Sequence, residues 1–211
     1  MESTEIFLIR HGQTDHNFDS RIQGQIDTDL NQTGIDQAKM VALRLGKLAI
    51  FHKVFSSDLK RSHKTAQIIC EKVNTTIQLR QELREISLGS WEGKNWKEIE
   101  EIAPDGREDF YRDWYGYKGH GGESFQDVYD RVNLELDSIV SSHPGQTVLI
   151  VSHGGPIRLI VQRILNCPAE RMAADVENCS ITQLRFANEQ YHLVRMNDFA
   201  HLEGDSQPES H

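Results

Sequence analysis

The sequence predicts an α/β fold. We expect a three-layer sandwich with a mostly parallel central sheet, an antiparallel strand, helices on both faces and an aromatic-rich lid insertion. Three observations predict it. Strand and helix signals alternate from residue 4 to residue 165. The strongest strand signal, TVLIVSH at 147–153, is the continuous apolar run of a strand buried on both faces of a parallel sheet. The chain then ends in two β-rich runs flanking Asn188, a hairpin signal. Alternation of this kind builds a sheet covered by helices on both sides.

Residues 4–10 read as the first buried strand. Ile35, Ala38, Ala42, Leu45 and Leu48 then fall at helical spacing over 34–49. Lys53 to Ser56 is a short strand. Leu59, Ala66, Ile69, Cys70 and Val73 mark a second amphipathic helix, with Ser57 or Asp58 placed to cap it. Thr76 to Leu79 is another strand. A helix carrying Phe125, Val128, Val132, Leu136 and Ile139 inward starts near Ser124, where Asp127 completes a pattern like a capping box. After the 147–153 strand come Gly154, Gly155 and Pro156, and Pro at a first helical position starts a helix over 157–165. Ile181–Phe186 and Tyr191–Met196 form the hairpin.

Residues 91–125 break the pattern. They hold eight of the sixteen aromatics, including Trp91, Trp96 and Trp114, among several glycines. Two readings stay open: a satellite cluster with no ligand role, or a lid over the carboxyl edge of the sheet. With no linker or repeat in view, residues 1–204 read as one domain with a lid insertion at about 88–123, and the polar stretch 205–211 as a disordered tail.

Composition narrows the function. The net charge is −9, with no Lys/Arg-rich run, which argues against bulk binding of nucleic acid or an anionic membrane. Cys70, Cys167 and Cys179 form neither a CxxC pair nor an even framework, as expected of reduced thiols in a cytoplasmic protein. No signal peptide and no stretch of ~20 apolar residues is visible.

Two strands end in a histidine, IFLIRHG at 6–12 and VLIVSHGG at 148–155. Ligands of open α/β sheets bind beyond the carboxyl ends of strands, so His11 and His153 are expected in one crevice. His153 also precedes a helix start, where free N–H groups favour an anion. Arg61, in SSDLKRSHKTA, offers a planar fork that matches phosphate or carboxylate oxygens. Glu85, in LREISLGSWEG, is a carboxyl beside apolar and aromatic groups and a candidate proton donor. Together these groups suit phosphoryl transfer. A neutral imidazole attacks phosphorus, cations neutralise the equatorial oxygens, and a carboxylic acid protonates the departing alkoxide.

The blocks R-H-G at 10–12, SSDLKR-S-x-x-T-A around Arg61, LREISLGSWEG around Glu85 and VSHGG around His153 resemble those of the histidine phosphatase superfamily, in the expected order. The HLEG run at 201–204 also suits that family's end. The resemblance implies that His11 is the phosphorylated nucleophile and Glu85 the proton donor, with Arg10, Arg61 and His153 completing the phosphate pocket. It implies further that Asn17, Gln23, Gly24 and Gly154 contact the phosphate, with Gly12 leaving room for it. Glu82 competes for the role of acid, whereas its motif makes Glu92 a scaffold residue.

Within the superfamily, LREISLGSWEG and GGES at 121–124 resemble the small bacterial branch of broad-specificity, α-ribazole and metal-independent phosphoserine phosphatases. The expected function is therefore metal-independent hydrolysis of small phosphate esters, with no metal and no cofactor. The alternatives are a phosphoglycerate mutase-type transferase and a non-catalytic binder of phospho-ligands. Lys94, Arg107, Lys118, His120 and His201 are candidates to recognise a second anionic group. The antiparallel end of the sheet offers an edge for a homodimer. Rival chemistries fare worse. Cys179 and Arg185 have C-x5-R spacing, but CSITQLR alternates like a strand; DTD at 27–29 follows no apolar strand; no GxxxxGK[ST] or HExxH occurs.

Overall fold

A computed structural model describes residues 3–168 and 175–203. The expected tail at 205–211 and Gly204 of the HLEG run lie outside the described residues. Six strands form one sheet: β1 (Thr4–Arg10), β2 (Lys53–Ser56), β3 (Ile77–Leu79), β4 (Thr147–Ser152), β5 (Ile181–Ala187) and β6 (Gln190–Asp198). Their order is β3-β2-β4-β1-β5-β6. The first four in that order are parallel, and β5 alone runs against the rest, antiparallel to both β1 and β6.

The alternation of side chains along β1 explains the layers. Ile6 and Leu8 face one way and pack with Val128, Val132 and Leu136 of α6 (Phe125–Ser142) and Ile157 and Ile160 of α7 (Gly154–Ile164). Phe7 and Ile9 face the other way, against Val41 and Leu45 of α2 (Gln32–Leu48) and Ala66 and Ile69 of α3 (Lys60–Val73). Each fully buried Val, Leu or Ile contributes about 1.5–3 kcal/mol relative to exposure. The predicted sandwich is the observed fold. Among the described residues no helix is long and apolar enough to cross a membrane.

Local signals decide most boundaries. Ser124 caps α6 with a full capping box to Asp127. The hairpin turns on Asn188 and Glu189, both at positive φ, the geometry that matches strand twist in a two-residue loop. One expectation fails: neither Ser57 nor Asp58 caps α3. Leu59 occupies that position, and the first helical N–H, that of Lys60, is taken by Asp27 at 2.7 Å. Ser57 and Asp58 are engaged elsewhere, with His153 and Arg84.

The aromatic insertion adds α4 (Trp96–Ile102) and α5 (Gly106–Arg112). Its rings gather around buried Trp91, with Trp96, Phe110, Tyr117 and His120 at centroid distances of 5.1–5.7 Å. This is a core of its own beside the sheet. Of the segment's aromatics, Phe125 reaches the central cavity.

Candidate active site

The register of β1 against β4 creates the site. Arg10 pairs with Ser152, so the next residues, His11 and His153, leave the sheet side by side at its carboxyl edge. Their ring centroids are 5.1 Å apart, and both side chains are buried. The residue after β2, Ser57, lies across from them, and its hydroxyl is 2.8 Å from His153 Nε2. His153 Nδ1 is buried with no hydrogen-bond partner among the described residues.

His11 Nδ1 donates to the carbonyl of Gly12 at 2.7 Å, which leaves the lone pair on Nε2. Arg61 Nε donates to that nitrogen at 3.3 Å. Burial, then the charges of Arg61 and Arg10, hold the His11 imidazole well below its usual pKa. It is therefore neutral near pH 7, the form that can attack. His153 is depressed for the same reasons, burial first and Arg61 next.

Arg61 has no exposed surface. Its Nη1 and Nη2 donate to the carbonyls of Ile26 and Gly24, both at 2.8 Å, so the fork is fixed before any ligand arrives. Burial pushes its pKa down to about 10, which still leaves it charged at neutral pH. Gly24 sits at φ +52, and a Cβ there would strike the Glu92 carboxylate. Glu92 in turn accepts the N–H groups of Gln25 and Leu88 at 3.0 and 2.9 Å, the scaffold role expected of it.

Glu85 reaches the N-terminus of α7, where its Oε2 accepts from Gly155 N at 3.3 Å. Helix N-termini favour a carboxylate. Glu82 is exposed on the outside of the same loop, so it is not the group facing the cavity. Asn17 and Gln23 present their amides to the cavity. Asn17 Oδ1 takes the Thr14 N–H, and Gln23 Oε1 takes the hydroxyls of Thr14 and Thr28, so both NH2 groups are left for a ligand.

A cavity of about 350 Å³ is lined among others by Arg10, His11, Asn17, Gln23, Gly24, Arg61 and Glu85, whereas His153, fully buried beside His11, does not line it. Its lining includes four arginines, Arg10, Arg21, Arg61 and Arg158, against one carboxylate, Glu85. In a chain of net charge −9 this is a local concentration of positive charge. Among the described residues no three His, Cys, Asp or Glu side chains cluster as metal ligands.

Several expectations need correction. Gly154 does not line the cavity; Gly155 does, because the helix start turns that residue toward Glu85. Gly12 does not make room for a phosphoryl group. A Cβ there would meet the Gly34 carbonyl at 2.4 Å, so this glycine permits the loop to lie on α2. None of Lys94, Arg107, Lys118, His120 and His201 lines the cavity. Arg107 pairs with Glu100 and Lys118 with Asp127, while Lys94 and His201 bond to the carbonyls of Ser90 and Cys179 and His120 packs on Trp91. Two further cations line the cavity, Arg21, which pairs with Glu98, and Arg158, which pairs with Asp175. Arg158 lies three residues past the VSHGG block, about one turn into α7.

One supporting residue carries no sequence signal. Asn178 donates from Nδ2 to the carbonyl of His11 at 2.8 Å from more than 160 residues away. Thr65 accepts the Gly12 N–H and donates to the Arg61 carbonyl, joining two of the sequence blocks. The C-x5-R pair builds no cradle: Cys179 is buried with its thiol pushed up by burial, and Arg185 pairs with Glu5.

The family model described as the histidine phosphatase superfamily, branch 1, matches residues 6–199. The chain belongs to this superfamily. Among its relatives is a metal-independent phosphoserine phosphatase of Arabidopsis thaliana, 37% identical over 95% of this chain and 84% of that one. A probable phosphoglycerate mutase of Escherichia coli is 36% identical over 86% of this chain and 85% of its own. Among solved structures, a mycobacterial glucosyl-3-phosphoglycerate phosphatase complexed with VO3 superposes with a TM-score of 0.83 at 33% identity, over 92% of this chain and 99% of that one. For a histidine phosphatase, two strand-end histidines among buried arginines are the features that the sheet register delivers.

Proposed function

We propose that this histidine phosphatase hydrolyses small phosphate monoesters through a phosphohistidine at His11. The observation that carries this reading is the state of His11: a buried, neutral imidazole whose Nδ1–H is tied to Gly12 and whose Nε2 lone pair rests against the fixed guanidinium of Arg61. That nitrogen attacks phosphorus, the Nε2–P bond forms and the ester P–O bond breaks. Arg10, Arg61 and His153 take the phosphoryl oxygens, and the amides of Asn17 and Gln23 close the side. Glu85 gives its proton to the departing alkoxide. In the second step water attacks phosphorus, Glu85 takes a proton from it, the P–N bond breaks and inorganic phosphate leaves.

The cationic part of this mechanism is supplied by guanidinium groups of the chain itself, which supports a metal-independent reaction. The name of the Arabidopsis relative supports the same reading. Arg158 extends it to substrate class. Its Nε is buried with no hydrogen-bond partner among the described residues, and its Nη2 meets only Asp175, whose side chain is 89% exposed. Arg21 is held by Glu98 at 2.8 Å. A phosphate ester carrying a second anionic group, as phosphoserine and phosphoglycerate do, fits a cavity in which Arg158 lies beyond the phosphate pocket with a guanidinium nitrogen still unpartnered among the described residues.

The test is release of inorganic phosphate from p-nitrophenyl phosphate and from phosphoserine in excess chelator, with intact-mass detection of a phosphorylated protein. We expect turnover and a phosphohistidine under both conditions. No phosphoenzyme and no turnover would leave a non-catalytic binder, and transfer to a second phosphoglycerate in place of water would make the protein a mutase.

A further inference from the structure

Arg131, on α6, spends three of its five guanidinium N–H groups on the loop that carries Glu85. Nη1 donates to the carbonyls of Glu82 and Arg84 at 2.7 and 2.8 Å, and Nη2 donates to that of Glu85 at 3.1 Å. The remaining two bonds, from Nε and Nη2, form a two-pronged pair with the Glu123 carboxylate at 2.8 and 3.0 Å. Glu123 closes the frame by accepting the N–H of Ser87 at 2.9 Å. Gln25 Nε2 adds a bond to the Glu85 carbonyl at 3.1 Å and another to Glu123 at 3.3 Å.

The residues so held are 82, 84, 85 and 87: two before the carboxyl-bearing residue, one after it, and that residue itself. The loop has no sheet partners, and its regular structure is one 3-10 turn at Gln81–Leu83. Without Arg131 the carbonyls of Glu82 and Arg84 would lose their partner and that of Glu85 would keep Gln25 alone, which loosens the backbone that carries the Glu85 side chain. Displacing a catalytic group by about 1 Å costs on the order of a hundredfold in rate. We infer that Arg131, locked by Glu123, is a positioning residue that sets where the Glu85 carboxyl stands against the leaving group. This rests on the assignment of Glu85 as proton donor. Lysine cannot replace it, since three tetrahedral donors cannot serve three carbonyls and a carboxylate at once.

The experiment compares kcat/KM for an alkyl ester, β-glycerophosphate, with that for 2,4-dinitrophenyl phosphate, whose leaving group needs little protonation. Wild type, Arg131→Met, Arg131→Lys and Glu123→Gln are measured in both the native and the Glu85→Gln background. A misplaced acid predicts a loss of about a hundredfold on the alkyl ester in Arg131→Met and Arg131→Lys, and less than about threefold on the aryl ester. In the Glu85→Gln background the same substitutions should cost little more, because the group they position is already disabled.

Equal losses on both esters, or losses that add to that of Glu85→Gln, would overturn the inference and leave Arg131 as a general support of the fold. Should Arg131→Met not fold, Glu123→Gln, which keeps the shape and removes the charge, carries the same comparison. If the wild type fails on both esters, it is the proposed function that falls, before any variant is compared.

Discussion

Arg61 Nε lies 3.3 Å from His11 Nε2, so the lone pair assigned to attack phosphorus rests against a buried cation before any substrate arrives. Burial first, and then the same cation, keep the imidazole free of a proton, and in the proposed mechanism that cation meets the phosphoryl oxygens. This pairing ties nucleophile and electrostatic stabilisation to one contact.

Replacing His11 with alanine should lower turnover by about a thousandfold or more, since among the described residues no other histidine, cysteine, serine or threonine lines the cavity. Arg61→Met should cost about 100- to 1,000-fold in kcat through loss of transition-state stabilisation. Steady-state kinetics and intact-mass analysis check both. A phosphoenzyme in His11→Ala would show that the nucleophile lies elsewhere.

The pH dependence follows from two buried histidines. Folded His11 and His153 bind their protons well below pH 6.5, whereas the unfolded chain binds them near 6.5. The unfolded state thus holds more protons once the pH falls below about 6.5, and stability declines from there by up to about 1.4 kcal/mol per pH unit for each histidine. Above that pH neither group contributes a slope. Denaturant melts from pH 7.5 to 5 should show the decline, and His153→Asn should roughly halve it. For the same reason kcat/KM should have no acid limb near 6.5 arising from His11; an NMR titration placing the His11 pKa at 6.5 would refute this.

Gly155→Ala separates activity from stability. The new Cβ would lie 2.4 Å from Glu85 Oε1, the movable end of a side chain, so the carboxyl shifts and the helix stays. Alanine favours a helix over glycine by up to about 1 kcal/mol. The variant should melt at or above the wild-type temperature while losing about a hundredfold in kcat/KM on alkyl phosphates. Glu85→Gln should give the same pattern of substrates, with aryl phosphates less affected. Equal losses on alkyl and aryl esters would argue against a proton-donor role.

Arg158→Met should raise KM for phosphoserine about tenfold and leave that for phosphoethanolamine, which lacks the carboxylate, within about twofold. A parallel rise for both would mean that Arg158 holds the phosphoryl group or supports the fold.

Glu85 and Arg158 show where reading of the chain succeeded and where it stopped. Glu85 was legible because its neighbours, Leu83, Gly89 and Trp91, form a recognisable local block. Arg158 was not, because nothing in its neighbours distinguishes an arginine facing a cavity from one facing solvent. The expected anion ligands Lys94, Lys118 and His120 illustrate the reverse error: all lie near the right segment, yet each is consumed by a local partner.

The sequence by itself determined the layers and the chemistry. Apolar runs in β1 and β4 and the periodicities of α2, α3 and α6 are local properties, and so are the histidines that end two strands. Tertiary structure decided how those ends meet. Only the pairing of Arg10 with Ser152 sets His11 against His153, and only the fold brings Asn178, Arg131 and Glu123 to hold the reacting groups. Periodicity records which face of an element is buried, whereas strand register and long-range hydrogen bonds depend on where distant segments come to lie.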